Sequence, residues 1–116
     1  MSSLITDKKQ KVSLVCGGEQ ILLDQDEIVM CCIRGKQIKI YMKDGKVYTC
    51  YGNLKKIGQK LTEGSFFRSH KSYLVNVSFI EKITSQYGER EIEFNCIRER
   101  AALSRRKAKE LKKLLE

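Results

Sequence analysis

The chain has one histidine, no CxxC pair, no excess of acidic residues, no internal repeat and no long apolar run. Each absence excludes something. Five cysteines (Cys16, Cys31, Cys32, Cys50 and Cys96) with a single histidine do not have the ligand spacing of a zinc site, and an odd set with no CxxC pair does not read as a disulfide framework. Buried, reduced thiols are the expectation. No serine, cysteine or carboxylate is spaced to make a recognisable triad with His70, so neither an enzymatic role nor a metal or cofactor is expected. No apolar run approaches the roughly 20 residues a membrane span requires. The opening MSSLITDKKQK lacks the apolar centre of a secretory signal, which predicts a soluble, cytoplasmic protein without membrane contact. At 116 residues there is enough chain for one domain with a real core, and no room for a receiver domain beside it.

What is abundant is positive charge. Twenty-three Lys and Arg against 14 Asp and Glu give +9 and a pI near 9.4, which favours a polyanionic partner. Along the chain, residues 1 to 11 are polar and aperiodic, as in a linker or disordered terminus, and a single domain is expected over 12 to 116. Val12, Leu14 and Cys16 alternate on one face, and Gly17-Gly18 turns the chain into Gln20 to Leu23, predicting a hairpin. Ile28 to Ile33 (IVMCCI) is a continuous apolar run of strand length, expected in mid-core with both faces covered. Arg34-Gly35-Lys36-Gln37 reads as an exposed turn. Ile38, Ile40 and Met42 alternate up to Asp44-Gly45, a strong hairpin signal, and Lys46 to Tyr51 returns.

Asn53 is a fair N-cap for a short helix carrying Leu54, Ile57 and Leu61, with Thr62-Glu63-Gly64 ending it. Phe79 to Gln86 and Arg90 to Ile97 pair around Tyr87-Gly88-Glu89, with an acidic face of Glu91, Glu93 and Asn95 that is expected to look away from DNA. Ser104 caps a last helix to about Leu115 with Ala108, Leu111, Leu114 and Leu115 as its apolar stripe. Arg105, Arg106 and Lys107 occupy its first turn, where the backbone is already positive and acidic residues would be preferred. Exposed N–H groups, helix dipole and three cations together make a phosphate site.

The stretch around which all this is arranged is Phe66 to Asn76, FFRSHKSYLVN. Arg68, His70 and Lys71 can meet phosphate oxygens; Ser69, Ser72, Tyr73 and Asn76 can donate to phosphate or base edges; Phe66, Phe67, Leu74 and Val75 supply an apolar anchor. With Phe79-Ile80 and Ile83 after it, Tyr51-Gly52-Asn53-Leu54 before it and Leu103-Ser104-Arg105-Arg106 at the last helix, this string resembles the signature of the LytTR-type DNA-binding domain over about residues 12 to 115. The resemblance implies a mainly β, elongated antiparallel fold of about ten short strands with one short internal helix and a C-terminal helix. It implies a transcriptional regulator, the output domain of bacterial response regulators in two-component signalling, that binds duplex DNA at promoter repeats by loops, as two copies. It places DNA contacts on Lys36-Gln37, on His70-Lys71 and on Arg105-Arg106; Gln37 and Lys71 depart from residues often found in relatives and are read as determinants of the bound sequence.

The candidate set is therefore Arg34, Lys36 and Gln37; Arg68, Ser69, His70, Lys71, Ser72 and Asn76; and Arg105, Arg106 and Lys107. The clusters recur about 35 residues apart, each at a turn or element boundary, so their side chains leave the sheet together. Arg or Lys can read guanine and Gln can read adenine. Two other functions stand beside this one. An RNA or single-stranded nucleic-acid module would need stacking aromatics, and Tyr41, Tyr48, Tyr73 and Tyr87 are few and scattered. A thiol redox sensor would rest on Cys31-Cys32. The Met-Ser-Ser start fits both a whole protein and the C-terminal piece of a regulator with a receiver domain.

Overall fold

The computed structural model describes residues 11–61 and 65–116. Residues 1 to 10 of the linker expected over 1 to 11, and Thr62-Glu63-Gly64 at the helix end, lie outside them. Lys11, where the expected linker meets the alternating stretch, begins the first strand and pairs with Asp24, its Nζ 2.8 Å from the carboxylate.

The centre is a five-stranded antiparallel sheet in the order β5-β4-β3-β7-β6. It comprises β3 (Ile28–Arg34), β4 (Gln37–Met42), β5 (Val47–Tyr51), β6 (Phe66–His70) and β7 (Tyr73–Asn76). On one face lie the hairpin of β1 (Lys11–Cys16) and β2 (Glu19–Asp24) and the short helix α1 (Leu54–Lys60). On the other lie a three-stranded sheet, β10-β9-β8, and the last helix α2 (Arg105–Leu115). Its strands are β8 (Ile80–Gln86), β9 (Glu89–Phe94) and β10 (Arg100–Leu103). The molecule measures 52 × 33 × 23 Å along its principal axes, elongated as expected.

Each face has its own core, and β3 serves both. Ile28 and Cys31 join the cluster with Leu14, Ile40, Leu54 and Leu74, whereas Val29 and Met30 join Phe67, Val75, Ile92 and Leu111. Two consecutive residues on one side break strict alternation. A bulge between Ile28 and Met30 in the pairing with β4 is the cause, since an extra residue shifts the pleat by one. This is why IVMCCI has no period of two and why Val29 to Cys32 are fully buried.

Local signals account for most boundaries. Asn53 Oδ1 accepts the Lys56 N–H at 2.7 Å and starts α1; Ser104 Oγ accepts the Lys107 N–H at 3.2 Å and starts α2. At the β8–β9 turn Tyr87 has φ 53° and is 94% exposed. With Gly88 also at positive φ, the two-residue turn wants Asn-Gly rather than Tyr-Gly. Tyr87→Asn should stabilise the domain by about 0.5–1 kcal/mol, seen as a rise in thermal midpoint; a fall would mean that the ring contributes contacts despite its exposure.

Three expectations need correction. Cys16 of β1 and Cys50 of β5 form a disulfide across 34 residues, with Cα atoms 4.3 Å apart. Cysteine counting missed it because the two are neighbours only once β1 lies beside β5. Leu114 and Leu115 are 63% and 51% exposed, so the stripe of α2 reaches only Ala108 and Leu111, where the helix still overlies the sheet. Cys96 lies beyond the end of β9 and is half-buried, so the strand ends at Phe94 rather than Ile97. The four residues of β10, too short for a period of their own, were passed over in the sequence although they pair with β9 along their whole length.

Candidate nucleic-acid interface

The β6–β7 hairpin is built to present its turn. Arg68 folds its guanidinium under the turn, Nε donating to the His70 carbonyl at 3.1 Å and Nη2 to the Lys71 carbonyl at 2.5 Å. These charge-assisted bonds tie the guanidinium to two carbonyls of the turn and stiffen it. The Ser72 N–H donates to His70 Nδ1 at 3.1 Å. A backbone N–H can only donate, so in the neutral ring the hydrogen sits on Nε2. Lys71 is exposed; His70 and Ser72 are half-buried.

Ser69 and Asn76 do not reach the surface and leave the candidate set. Ser69 is fully buried, its hydroxyl donating to the Ala102 carbonyl at 2.8 Å while its own carbonyl accepts the Ser104 N–H at 2.9 Å. Asn76 is 2% exposed; its Nδ2 donates to the Ile28 carbonyl at 2.9 Å and its Oδ1 accepts the Ser78 N–H at 3.0 Å. Both are polar side chains whose hydrogen-bonding capacity is spent on backbone, as buried polar groups require. Ser69 stitches β6 to the end of β10, where the chain enters α2.

That stitch joins two of the clusters. Arg68, His70, Lys71, Ser104, Arg106 and Lys107 line one open depression, and beside it His70 adjoins Arg90, Leu103 and Arg105. Arg105 and Arg106 are exposed. Lys107 is more committed: its Nζ lies 5.6 Å from the centroid of the Phe67 ring and 3.4 Å from Glu110 Oε1. The third cluster, the β3–β4 turn, is linked through backbone and side chain. The Ile33 N–H donates to the Ser72 carbonyl at 2.9 Å, and Arg34 Nη1 donates to the Tyr73 hydroxyl at 3.1 Å. Lys36 and Gln37 are on the same turn; Gln37 Nε2 donates to the Tyr51 hydroxyl at 3.3 Å.

Arg90 and Tyr73 are absent from the sequence-derived set. Arg90 comes in only because β9 pairs with β10, placing it opposite Leu103, one residue before the helix cap. The acidic face of β9 is partly neutralised, Arg100 lying 3.2 Å from Glu91 and 3.7 Å from Glu93. Glu89, read as part of the turn, begins β9 and lines the hollow beside His70. Among the described residues no group of three or more His, Cys, Asp or Glu could hold a metal ion, and no helix is long and apolar enough to cross a membrane.

The cysteines offer no reactive thiol at Cys31-Cys32. Burial pushes the Cys31 thiol up to about 12, with Cys32 beside it adding to the rise. Burial also raises Cys32, partly offset by the Arg34 charge. Thiolates are the reactive form, so neither residue supports redox sensing at neutral pH.

Antiparallel sheets that bring cationic and amide-bearing turns together with one helix N-terminus define a mainly β domain with a basic surface suited to a polyanion. The chain belongs to the LytTr DNA-binding domain family, whose profile matches residues 18–116. It is 31% identical over 77 residues to the sensory transduction protein LytT of Oceanobacillus iheyensis, covering 66% of this chain and 31% of that protein. It is 29% identical over 110 residues to LytT of Bacillus subtilis, covering 92% and 44%. The chain thus spans less than half the length of these curated relatives. A solved LytTr DNA-binding domain from Bacillus cereus superposes with a TM-score of 0.74 at 23% identity, covering 93% of this chain and 98% of that one, and shares the fold.

Proposed function

We propose that this domain regulates transcription by binding duplex DNA sequence-specifically, with the β3–β4 turn, the β6–β7 turn and the N-terminus of α2 entering its grooves. The observation that carries the reading is the depression where Arg68, His70 and Lys71 meet Ser104, Arg106 and Lys107 from the far end of the sequence. Lys36, Lys71 and Arg105 are exposed cations suited to phosphate; Gln37, His70 and Arg106 carry the donor and acceptor groups that base edges pair with. Arg34, exposed on the β3–β4 turn, faces the same ligand, Ser72 supports His70, and Arg68 acts mainly by holding the turn. No enzymatic step is involved. The domain works in the cytoplasm as two copies on promoter repeats, as the output part of a longer two-component regulator with a receiver domain. The greater length of the LytT proteins and their sensory transduction names support that last point.

Affinity for DNA should be steeply salt-dependent. Three neutralised phosphates, one each for Lys36, Lys71 and Arg105, give a slope of log K against log[salt] of about −2.7, at roughly −0.9 each. Titrating a duplex selected from a random pool at several salt concentrations measures it; a flat line would remove the nucleic-acid reading.

A further inference from the structure

The β3–β4 and β6–β7 turns meet at one side chain, Tyr73. Its hydroxyl accepts Arg34 Nη1 at 3.1 Å, and the Arg34 guanidinium carbon lies 5.6 Å from the ring centroid. The His70 ring packs edge-on against the same ring at 5.7 Å, with the planes at 73°. Backbone reinforces the junction through the Ile33 N–H to the Ser72 carbonyl at 2.9 Å. Arg34 can only donate, so the tyrosine oxygen is the acceptor and its own hydrogen stays available. His70, bonded at Nδ1 by the Ser72 N–H, is left with Nε2–H as its free donor. A long arginine side chain loses rotamer freedom when it contacts a ligand; an arginine already held on a ring and a hydroxyl has lost much of it beforehand.

We infer that Tyr73 is a positioning residue for DNA recognition: it holds the Arg34 guanidinium and the His70 Nε2–H donor as one unit that takes hydrogen-bond acceptors on neighbouring nucleotides, guanine N7 and O6 or phosphate oxygens. The inference rests on the reading that these two turns face DNA. A purely structural tyrosine would act through its ring, which packs toward the core of Phe67 and Val75. Its hydroxyl serves the exposed Arg34 instead.

Tyr73→Phe keeps the ring and removes only the hydroxyl. In the full chain it should bind the selected duplex about tenfold more weakly and random duplex of equal length within about twofold of the parent, with an unchanged thermal midpoint. Arg34→Ala should lose a similar factor, and the double variant should be no worse than Arg34→Ala alone, because both remove one coupled contact. Multiplying losses, or a Tyr73→Phe that binds the selected site like the parent, would overturn the inference. If Arg34→Ala binds both duplexes unchanged, the turn does not face DNA and the underlying placement fails with it. Substituting 7-deazaguanine at the selected guanines, or methylphosphonates along the same strand, tells base from phosphate. Whichever replacement closes the gap between parent and Tyr73→Phe names the acceptor; 7-deazaguanine lacks only N7, so 2-aminopurine, which lacks O6, is placed at the same positions, and a gap that survives all three replacements overturns acceptor recognition by this unit.

Discussion

Leu111→Ala should cost about 2–5 kcal/mol of stability and lower the thermal midpoint by roughly 10–20 °C. Leu111 is the one residue of α2 that is completely buried, packed with Ile92, Ala101 and Leu103, while Ala108 is only half-covered. Truncation removes three heavy atoms from a close-packed site and leaves a void that a helix pinned at one point fills poorly. Leu114→Ala and Leu115→Ala, both on the exposed end, should stay within about 0.5 kcal/mol of the parent. Since the same helix carries Arg105 and Arg106, its loosening should weaken binding to selected and random duplexes together. Equal midpoints for Leu111→Ala and Leu114→Ala would show that α2 is not docked as described.

Arg106→Ala should lose about 1–3 kcal/mol on the selected duplex, roughly tenfold to 150-fold, and far less on random DNA. A base-reading arginine contributes only where its base is present, and Arg106 is exposed beside His70 and Lys71. Removing it also relieves repulsion with the positive end of the helix, so the fold should not suffer. Lys107→Ala makes the contrast. Its ammonium is engaged with Phe67 and Glu110, so it should weaken both duplexes by similar modest factors and take a few tenths of a kcal/mol to about 1 kcal/mol from stability. Binding curves on both duplexes and a melt for each variant settle the division. An Arg106→Ala that melts well below the parent, or keeps its selected-site affinity, would assign the arginine a structural role.

Local chemistry made much of this fold legible from residues alone. Gly17-Gly18 and Asp44-Gly45 marked hairpins because few other residues tolerate those backbone conformations, and Asn53 and Ser104 marked helix starts because their side chains can accept an orphan N–H. The LytTR resemblance supplied what such signals cannot, an elongated, mainly antiparallel fold of about ten short strands, but not which hairpins stack. What escaped depends on contacts between distant segments. Nothing in FFRSHKSYLVN distinguishes a serine that meets solvent from one that donates to Ala102, so Ser69 and Asn76 were assigned to DNA alongside Ser72. Cys16–Cys50 and the Arg90–Leu103 pairing are likewise properties of strands brought together. The same holds for Tyr73, whose bond to Arg34 crosses 39 positions.

The central place of β3 has a consequence for the growing polypeptide. One edge of this apolar strand is covered early by β4, through a two-residue turn, but the other waits for β7, and the Asn76 bond to Ile28 closes across 48 positions. At about 5–20 residues per second, the ribosome leaves IVMCCI with a bare edge for roughly 2–10 s. During that interval the strand is a template for pairing with other chains, and non-local closure of this kind folds slowly even afterwards. The basic turn at Arg34 to Gln37 sits at the very end of this edge, where its like charges repel a second nascent copy. The cations proposed to meet DNA in the finished domain therefore also serve as gatekeepers against aggregation while it is being made.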